Sequence, residues 1–351
     1  MRIVLTKGRH LPTMASMLES SKIQTLMTMA EVWRFYHDDL VAAEQQTKRS
    51  LDSKTHLVNE IAEHLLLSGG KRIRPLLMIL VSKLGGYSGS ESTLLAGVVE
   101  FIHTATLLHD DVIDNAEIRR GKRAARFLWG NKASILVGDY LYSRAMCQAV
   151  SLNNLEVNAT LAEACRRMTE GEVLQLSLNG SLKISEEDYL RIVEYKTAIL
   201  ISATCRLGAI IGDMNHSNKD HLTAFGLHLG IAFQVADDTL DYVADGEKLG
   251  KSLGKDIREG KITLPLLHLL KTCPQSERFK IEQMIQSEKG ILEDDLEMIL
   301  NLMKECGSIS YSMDRARDFV ERAKTNLHHF PDSVSRQALL TLADYIVDRD
   351  Y

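Results

Sequence analysis

The sequence predicts an all-α protein, and three observations support this fold class. Leu, Ala, Met and Glu are frequent while aromatic residues make up only 6% of the chain, and this composition favours helices over strands. The whole chain has five prolines, and none of them falls within residues 76–264, so long stretches lack a helix breaker. No segment alternates between apolar and polar residues with a period of two over a useful length. We therefore expect one bundle of roughly a dozen helices.

Short junctions separate the predicted helices. Apolar residues in 30–51 recur at the spacing of one helix face, which predicts a single helix over this range. They are Val32, Trp33, Tyr36, Leu40 and Val41. Clusters of Gly, Ser and Asn predict helix junctions at residues 68–70, 85–92, 151–156, 178–188 and 212–220. Within one junction, Ser185 is followed three residues later by Asp188, the spacing of a capping box.

Cysteine content, charge and hydropathy exclude several classes of protein. The five cysteines are scattered and never form a CxxC pair, so we expect neither a disulfide framework nor a zinc site, and we expect a reducing, cytoplasmic location. The net charge of -5 gives no basic excess for binding nucleic acid. No apolar run of about 18 residues occurs, so no transmembrane helix is predicted.

The N-terminal segment differs in composition from the rest of the chain. The first 17 residues carry basic residues and no acidic ones. A transit peptide has such a composition, but we favour a loose N-terminal extension over residues 1–29, ahead of a single helical domain over 30–351. Such an extension would reflect a start site upstream of Met14 or Met17.

Two aspartate clusters are the main candidates for chemistry. Both have the pattern Asp-Asp-x-x-Asp at the end of an apolar helix; their members are Asp110, Asp111 and Asp114, and Asp237, Asp238 and Asp241. Residues four apart share a helix face, and carboxylates so close repel one another unless cations intervene. Oxygen ligands without His or Cys favour Mg²⁺. One such cluster could be a solvated helix end, but two, each followed by basic residues, favour a metal site.

Three basic segments complete this interpretation. Arg119 and Arg120 follow the first cluster, Lys251, Lys255 and Lys261 follow the second, and Lys71, Arg72 and Arg74 lie upstream behind two glycines. Arginines make forked, charge-assisted contacts to phosphate oxygens, and a helix start offers free backbone N–H groups to an anion. The pattern predicts one Mg²⁺-bound diphosphate and a second diphosphate held by the upstream segment.

At this point the sequence resembles the trans-isoprenyl diphosphate synthase family over roughly residues 45–350. The motifs that carry the resemblance are GGKRIRP (69–75), EFIHTATLLHDDVIDNAEIRRGK (100–122), GD (138–139), YKTA (195–198), FQVADDTLD (233–241) and GKSLGKDIREGK (250–261). Together they are highly specific. The resemblance implies an all-α fold around a central cavity, three Mg²⁺ per site, and a homodimer.

The resemblance also implies the role of each site residue. Asp110, Asp114, Asp237 and Asp241 would bind Mg²⁺, with Asp111 and Asp238 in support and Asp256 acting through water. Arg119, Lys196, Thr197, Gln234, Lys251 and Lys261 would contact the allylic diphosphate, and Lys71, Arg74, His103 and Arg120 would bind isopentenyl diphosphate. The Lys196 carbonyl and the Thr197 hydroxyl would stabilise the allylic cation. Without its motif, His103 would be interpreted as an ordinary core residue.

Residues before the first cluster predict the length of the product. Ile102, Ala105 and Thr106 should face the channel below Asp110, and Ala105 and Thr106 are small. The family resemblance then favours a polyprenyl chain of about 35 to 50 carbons, centred on about 40, as used for quinone side chains. Met146 is a candidate for the channel floor, although core packing explains it as well. Product release would involve transient contact with a membrane.

Three alternatives stay open at this level. A short-chain synthase making geranylgeranyl diphosphate would need residues below Ala105 to close the channel. A class I terpene cyclase also uses an aspartate-rich helix, but it would have no use for the basic segment at 71–74. An inactive partner subunit of a heteromeric synthase would not need intact aspartates.

Overall fold

The computed structural model describes residues 27–51, 53–66, 70, 72–243, 253–287 and 291–348. Within these ranges the chain is a helical bundle with one two-residue hairpin, so the predicted all-α class is confirmed. None of its helices is both long and apolar enough to cross a membrane.

The helices of the first half run as follows: α1 Met29–Phe35, α2 His37–Leu51, α3 His56–Leu66, α4 Ile73–Leu84, α5 Glu91–Ile113, α6 Ala125–Ser151 and α7 Leu155–Leu178. The second half contains α8 Glu186–Val193, a π-helix Glu194–Ala198, α9 Ile199–Ile211, α10 His216–Leu240, α11 Lys255–Arg258, α12 Leu264–Thr272, α13 Gln275–Ile285, α14 Glu293–Glu305, α15 Ser308–Asn326, a 3₁₀ turn Leu327–His329 and α16 Val334–Val347. Strands β1 Ile118–Arg119 and β2 Lys122–Arg123 pair antiparallel between α5 and α6.

The core explains which helices are central. Helices α4 and α9 are buried along almost their whole length, as expected of helices that are apolar on all sides. They pack with α5 and α10 in the main apolar cluster. A smaller cluster is formed by α11, α12 and α14. It supports the segment that follows α10.

Two local features differ from the predictions. The helix predicted over 30–51 is divided at Tyr36, whose φ of -99° and ψ of 13° leave the helical range. The hydroxyl groups of Tyr36 and Ser335, on α16, form a buried hydrogen bond of 3.0 Å. The break in the helix therefore coincides with a long-range contact that local periodicity does not predict. The hairpin was not predicted, because its strands are too short to show alternation. Arg120 and Gly121 have positive φ at its turn, which matches the twist of paired strands.

The helix ends follow the predicted capping chemistry. The Ser185 hydroxyl accepts from the backbone N–H of Asp188, and the Asp188 carboxylate accepts from that of Ser185, so the predicted capping box is present at the start of α8. Thr28 caps α1 in the same way, and the Thr341 hydroxyl donates to the Met27 carbonyl at 2.9 Å. Met27 and Thr28, which the sequence assigned to the extension, therefore contact the helical bundle. The rest of the predicted extension, residues 1–26, lies outside the described residues.

Candidate active site

The first aspartate cluster forms the C-terminal end of α5. Asp114 caps the helix, and its N–H donates to the Asp110 carbonyl at 2.8 Å. Asp111 is fully buried, and Oδ1 accepts from Nε and Nη2 of Arg119 at 2.8 and 2.5 Å. Burial raises the pKa of Asp110 to about 7, with the charge of Lys196 opposing and those of Glu172 and Asp114 adding to the shift. The three carboxylates therefore have different environments.

The second cluster forms the C-terminal end of α10 in a similar way. Asp237 is exposed, whereas Asp238 is buried and accepts hydrogen bonds from Tyr189 and Gln234, both at 2.7 Å. Burial raises the pKa of Asp238 to about 7 in spite of these bonds. Asp241 Oδ2 accepts from the backbone N–H of Asp256 at 3.0 Å, which fixes the following segment against the helix end.

Lys261 joins the two clusters. Its ammonium group donates to Asp114 at 2.9 Å and to Glu259 at 2.8 Å. Burial lowers the pKa of Lys261, but the charges of Asp114, Glu259 and Asp256 outweigh it and raise this pKa above its ordinary value. Lys261 contacts Asp114 of the first cluster and lines one cavity with Asp238 of the second, so the two clusters lie close to the same lysine.

The π-helix places Lys196 and Thr197 beside the clusters. Lys196 Nζ donates to Glu172 and Gln175 of α7, each at 2.8 Å. The Thr197 hydroxyl donates to Gln234 Oε1 at 2.8 Å. A Cβ on Gly171 would lie 2.8 Å from the Lys196 nitrogen, so only glycine lets α7 approach the wider turn this closely.

A cavity of about 120 Å³ connects these groups. Its walls include Tyr189, Lys196, Thr197, Gln234, Asp238 and Lys261, with Leu178, Ile184, Ile192 and Ile262 on the apolar side. Four residues that line the cavity or pair with its lysines were not predicted from the sequence: Glu172, Gln175, Tyr189 and Glu259. Glu172 and Gln175 are three residues apart on one face of α7. This spacing was the only feature of the local sequence that could have indicated a shared partner.

The predicted second diphosphate site is also basic in the structure. The pKa of His103 lies well below the ordinary value. Burial is the main cause, and the positive charges of four arginines add to it: Arg74, Arg120, Arg119 and Arg72. Nε of Arg74 is buried without a hydrogen-bond partner in the described part of the chain. Arg72 forms an ion pair with Glu100 at 3.1 Å. Lys71 and Lys251, predicted for the two diphosphates, lie outside the described residues.

The predicted channel residues lie along α5 and α6. Ile102 and Ala105 are almost completely buried, and Thr106 is partly buried, with its hydroxyl donating to the His103 carbonyl at 2.8 Å. Met146 is partly buried against the main apolar cluster. Their role as a channel wall stays a prediction.

The donor set fits magnesium. Among the described residues, no donor forms a hydrogen bond with the carboxylate of Asp110 or Asp237, and burial destabilises the charge of Asp110. Such a carboxylate is a suitable ligand for a hard cation. The described residues hold no group of three or more His, Cys, Asp or Glu side chains gathered closely enough to bind an ion by themselves. Mg²⁺ commonly takes one or two carboxylates and completes its shell with water and phosphate oxygens.

Comparison with known proteins identifies the family. Residues 55–303 match the sequence model of polyprenyl synthetase. Octaprenyl diphosphate synthase from Escherichia coli is 39% identical over 324 residues, which cover 92% of this chain and 100% of that protein. A crystal structure of polyprenyl synthase from Caulobacter crescentus, complexed with calcium and isoprenyl diphosphate, has a TM-score of 0.88 and 38% identity, and covers 93% of this chain and 99% of that one.

A second solved structure agrees with the first. Decaprenyl diphosphate synthase from Rhodobacter capsulatus has a TM-score of 0.85 and 39% identity, over 91% of this chain and 98% of that one. These matches confirm the resemblance inferred from the motifs, the isoprenoid synthase type of helical fold, and an enzyme of the trans-polyprenyl diphosphate synthase type. The chain belongs to the polyprenyl synthetase family.

Proposed function

We propose that this enzyme extends an allylic diphosphate, such as farnesyl diphosphate, by successive head-to-tail additions of isopentenyl diphosphate. The product is a long trans-polyprenyl diphosphate of about 40 carbons, a length that rests on family resemblance. The position of Lys261 carries the proposal, because Lys261 contacts Asp114 of the first cluster and lines one cavity with Asp238 of the second. The similarity to an octaprenyl synthase and a decaprenyl synthase supports the long-chain product.

Four aspartates would hold magnesium at this site. Asp110 and Asp237 supply carboxylates without hydrogen bonds from described donors, and Asp114 and Asp241 stand four residues later on the same helices. Three Mg²⁺ is the number that the resemblance implies. When bound, magnesium neutralises charge on the diphosphate. Asp111 and Asp238 would play a supporting part. Arg119 occupies Oδ1 of Asp111, and Tyr189 and Gln234 occupy both oxygens of Asp238.

The allylic diphosphate would lie among the cations of this end of the bundle. Lys196 and Lys261 now pair with Glu172 and with Asp114 and Glu259, and a diphosphate offers them more negative partners. Arg119, Gln234 and Lys251 complete the set. These groups stabilise the negative charge that develops as the allylic C–O bond breaks. Thr197 and the Lys196 carbonyl face the resulting cation.

Isopentenyl diphosphate would bind at the second basic group. Arg74, His103 and Arg120 would hold the anion, together with Lys71 as the resemblance implies. The neighbouring arginines lower the pKa of His103, so a further positive charge is unfavourable there and an anion is favoured. Binding holds the double bond beside the allylic cation, an effect of proximity and orientation. The new C–C bond forms, and the released diphosphate takes the proton lost from the adduct. The basic group also argues against a terpene cyclase.

Exposed apolar side chains support the proposed homodimer. Helices α6 and α7 expose Phe127, Leu128, Ile135, Leu136, Tyr142, Val150, Leu155, Val173 and Leu176. A patch of this kind marks an interaction surface, and a two-fold axis would bury it against a second copy. Transient membrane contact would accompany release of the apolar product, whose proposed use is a quinone side chain.

Product analysis tests the proposal. The purified protein is incubated with Mg²⁺, farnesyl diphosphate and labelled isopentenyl diphosphate, and the dephosphorylated alcohols are sized. A ladder that ends near 40 carbons is expected. A stop at the geranylgeranyl length would replace the long-chain product with a short one. Absence of any elongated product, with an active relative as positive control, would refute the proposed reaction for this chain alone.

A further inference from the structure

A continuous hydrogen-bond chain links a tyrosine outside the predicted site to Thr197. The Tyr189 hydroxyl lies 2.7 Å from Asp238 Oδ2, Gln234 Nε2 lies 2.7 Å from Asp238 Oδ1, and Thr197 Oγ1 lies 2.8 Å from Gln234 Oε1. The chain spans α8, α10 and the π-helix. Tyr189 is 4% exposed, so water does not compete for its hydroxyl.

The direction of each hydrogen bond follows from the chemistry of the groups. A carboxylate only accepts, so both oxygens of Asp238 take donors. The amide of Gln234 must then turn its NH₂ towards Asp238 and its carbonyl oxygen towards Thr197, since the reverse orientation would place two acceptors together. The single proton of the Thr197 hydroxyl is thereby committed to Gln234. Its oxygen lone pairs remain for the cavity that Thr197 lines.

We infer that Tyr189 is a positioning residue for Thr197. Acting through Asp238 and Gln234, it holds the threonine hydroxyl as an acceptor, so that oxygen lone pairs and not a proton face the allylic cation. An isolated hydroxyl rotates freely and would turn its proton towards a diphosphate oxygen. The inference rests on the cation-stabilising role given to Thr197 under the proposed function.

Rigid anchoring of α8 supports this role. Its start is fixed by the capping box of Ser185 and Asp188. Glu186 accepts hydrogen bonds from Tyr311 at 2.7 Å and from Arg315 at 3.0 Å, which tie α8 to α15. The ring of Tyr189 therefore approaches Asp238 from a fixed direction, and preorganised dipoles are the ones that stabilise developing charge.

The test separates binding of the cation from binding of the diphosphate. The variants are Tyr189→Phe, Thr197→Val and the double variant Y189F/T197V. The control is Tyr242→Phe, which removes another buried hydroxyl near the end of α10, one that bonds Thr263 instead. Calorimetry in Mg²⁺ compares two probes: an aza analogue of farnesyl diphosphate with a protonated amine at the carbon that becomes cationic, and farnesyl thiodiphosphate, which lacks that charge.

Tyr189→Phe should weaken binding of the aza analogue about tenfold and leave that of the thiodiphosphate within about twofold. In steady state, kcat should fall with little change in KM for farnesyl diphosphate. The double variant should bind the aza analogue no more weakly than Thr197→Val alone, because both changes act through one group. Tyr242→Phe should change neither affinity.

Three outcomes would overturn the inference: equal weakening for both probes, losses that multiply in the double variant, or an effect of Tyr189→Phe without one of Thr197→Val. Failure of the wild-type protein to bind farnesyl thiodiphosphate at all would instead refute the proposed function, and the inference with it.

Discussion

The ammonium group of Lys261 lies 2.9 Å from Oδ2 of Asp114, although 147 residues separate them in the chain. Lys261 belongs to the basic segment after the second aspartate cluster, and Asp114 closes the first. The contact is largely shielded from solvent, with the two side chains 18% and 22% exposed. It brings a cation to the place where two sets of carboxylates would otherwise repel one another.

Replacement of Lys261 by Ala should therefore affect both function and stability. We expect turnover to fall about 10²- to 10³-fold, because one cation that stabilises the leaving diphosphate is lost. The free energy of unfolding should fall by about 1 to 3 kcal/mol, since Asp114 loses its partner in a half-buried site. Steady-state kinetics and urea unfolding measure the two effects.

Lys255→Ala is the matched control: Lys255 also pairs with Glu259 but is more exposed, and turnover within about threefold of wild type is expected. Equal losses in the two variants would contradict a special role for Lys261.

Asp110 and Asp111 should respond in opposite ways to the same change. Asp110→Asn should lower turnover by about 10³-fold or more yet leave the Tm unchanged or higher, because it removes a carboxylate whose charge burial destabilises. Asp111→Asn should lower the free energy of unfolding by about 2 to 4 kcal/mol, since Arg119 would lose a buried partner. Thermal scans with and without Mg²⁺ check this, and the Mg²⁺-dependent rise in Tm should disappear in Asp110→Asn. A destabilised Asp110→Asn with intact turnover would remove Asp110 from the metal site.

Gly171 should be sensitive to a single methyl group. Gly171→Ala would place its Cβ 2.8 Å from the Lys196 backbone nitrogen, so the π-helix must shift, at a cost of about 1 to 3 kcal/mol. We expect turnover per folded molecule to fall at least about tenfold, because Lys196 and Thr197 move with the backbone.

Gly226→Ala is the control, since its Cβ would lie equally close to the Ile201 carbonyl oxygen, between α10 and α9. It should cost similar stability and leave turnover of the folded fraction unchanged. Full activity of folded Gly171→Ala would show that the π-helix tolerates displacement.

The aspartates could be predicted from the sequence because their signal is local. Helical spacing alone places Asp110 with Asp114 and Asp237 with Asp241 on shared faces, and both clusters do end helices. The burial of Asp111 and Asp238, and the partners of their carboxylates, could not be predicted in the same way. Arg119 lies on β1 and Tyr189 on α8, so tertiary packing brings them to Asp111 and Asp238. Only Gln234, four residues before Asp238 on α10, is a local partner.

Other features escaped prediction for the same physical reason. Glu172 and Gln175 have the composition of an ordinary polar helix face, and only the approach of α7 to the π-helix, permitted by Gly171, makes them partners of Lys196. Tyr36, at which α1 and α2 divide, forms a hydrogen bond with Ser335, 299 residues away. Local periodicity carries no information about such contacts.

His103 should make stability depend on pH. Burial and the neighbouring arginines hold its pKa well below the ordinary value, so the imidazole stays neutral in the folded state at a pH where it is protonated in the unfolded chain. The unfolded state then binds more protons, and stability falls as pH drops through the ordinary histidine pKa of about 6.5. His103→Asn should remove this contribution, so that the variant loses less stability than wild type between pH 7 and pH 5. Urea unfolding across that range measures the difference.

His56→Asn, at a side chain 92% exposed, is the control and should leave the slope of the free energy of unfolding against pH unchanged. An unchanged slope in His103→Asn would contradict the lowered pKa of His103.

The last prediction concerns the length of the product. Ala105→Phe should shorten the polyprenyl chain if Ala105 lines the channel below Asp110, because the added ring fills the path that the growing chain follows. The ladder of dephosphorylated products should then end several isoprene units earlier, while the rate of the first addition stays within about tenfold of wild type.

Ala96→Phe is the control: Ala96 is also fully buried on α5 but lies further from the aspartates, so the ring should cost about 1 to 3 kcal/mol of stability without changing product length. If Ala105 only packs against neighbouring helices, both variants will be destabilised alike and the product will keep its length. The comparison thus separates a channel wall from a core position.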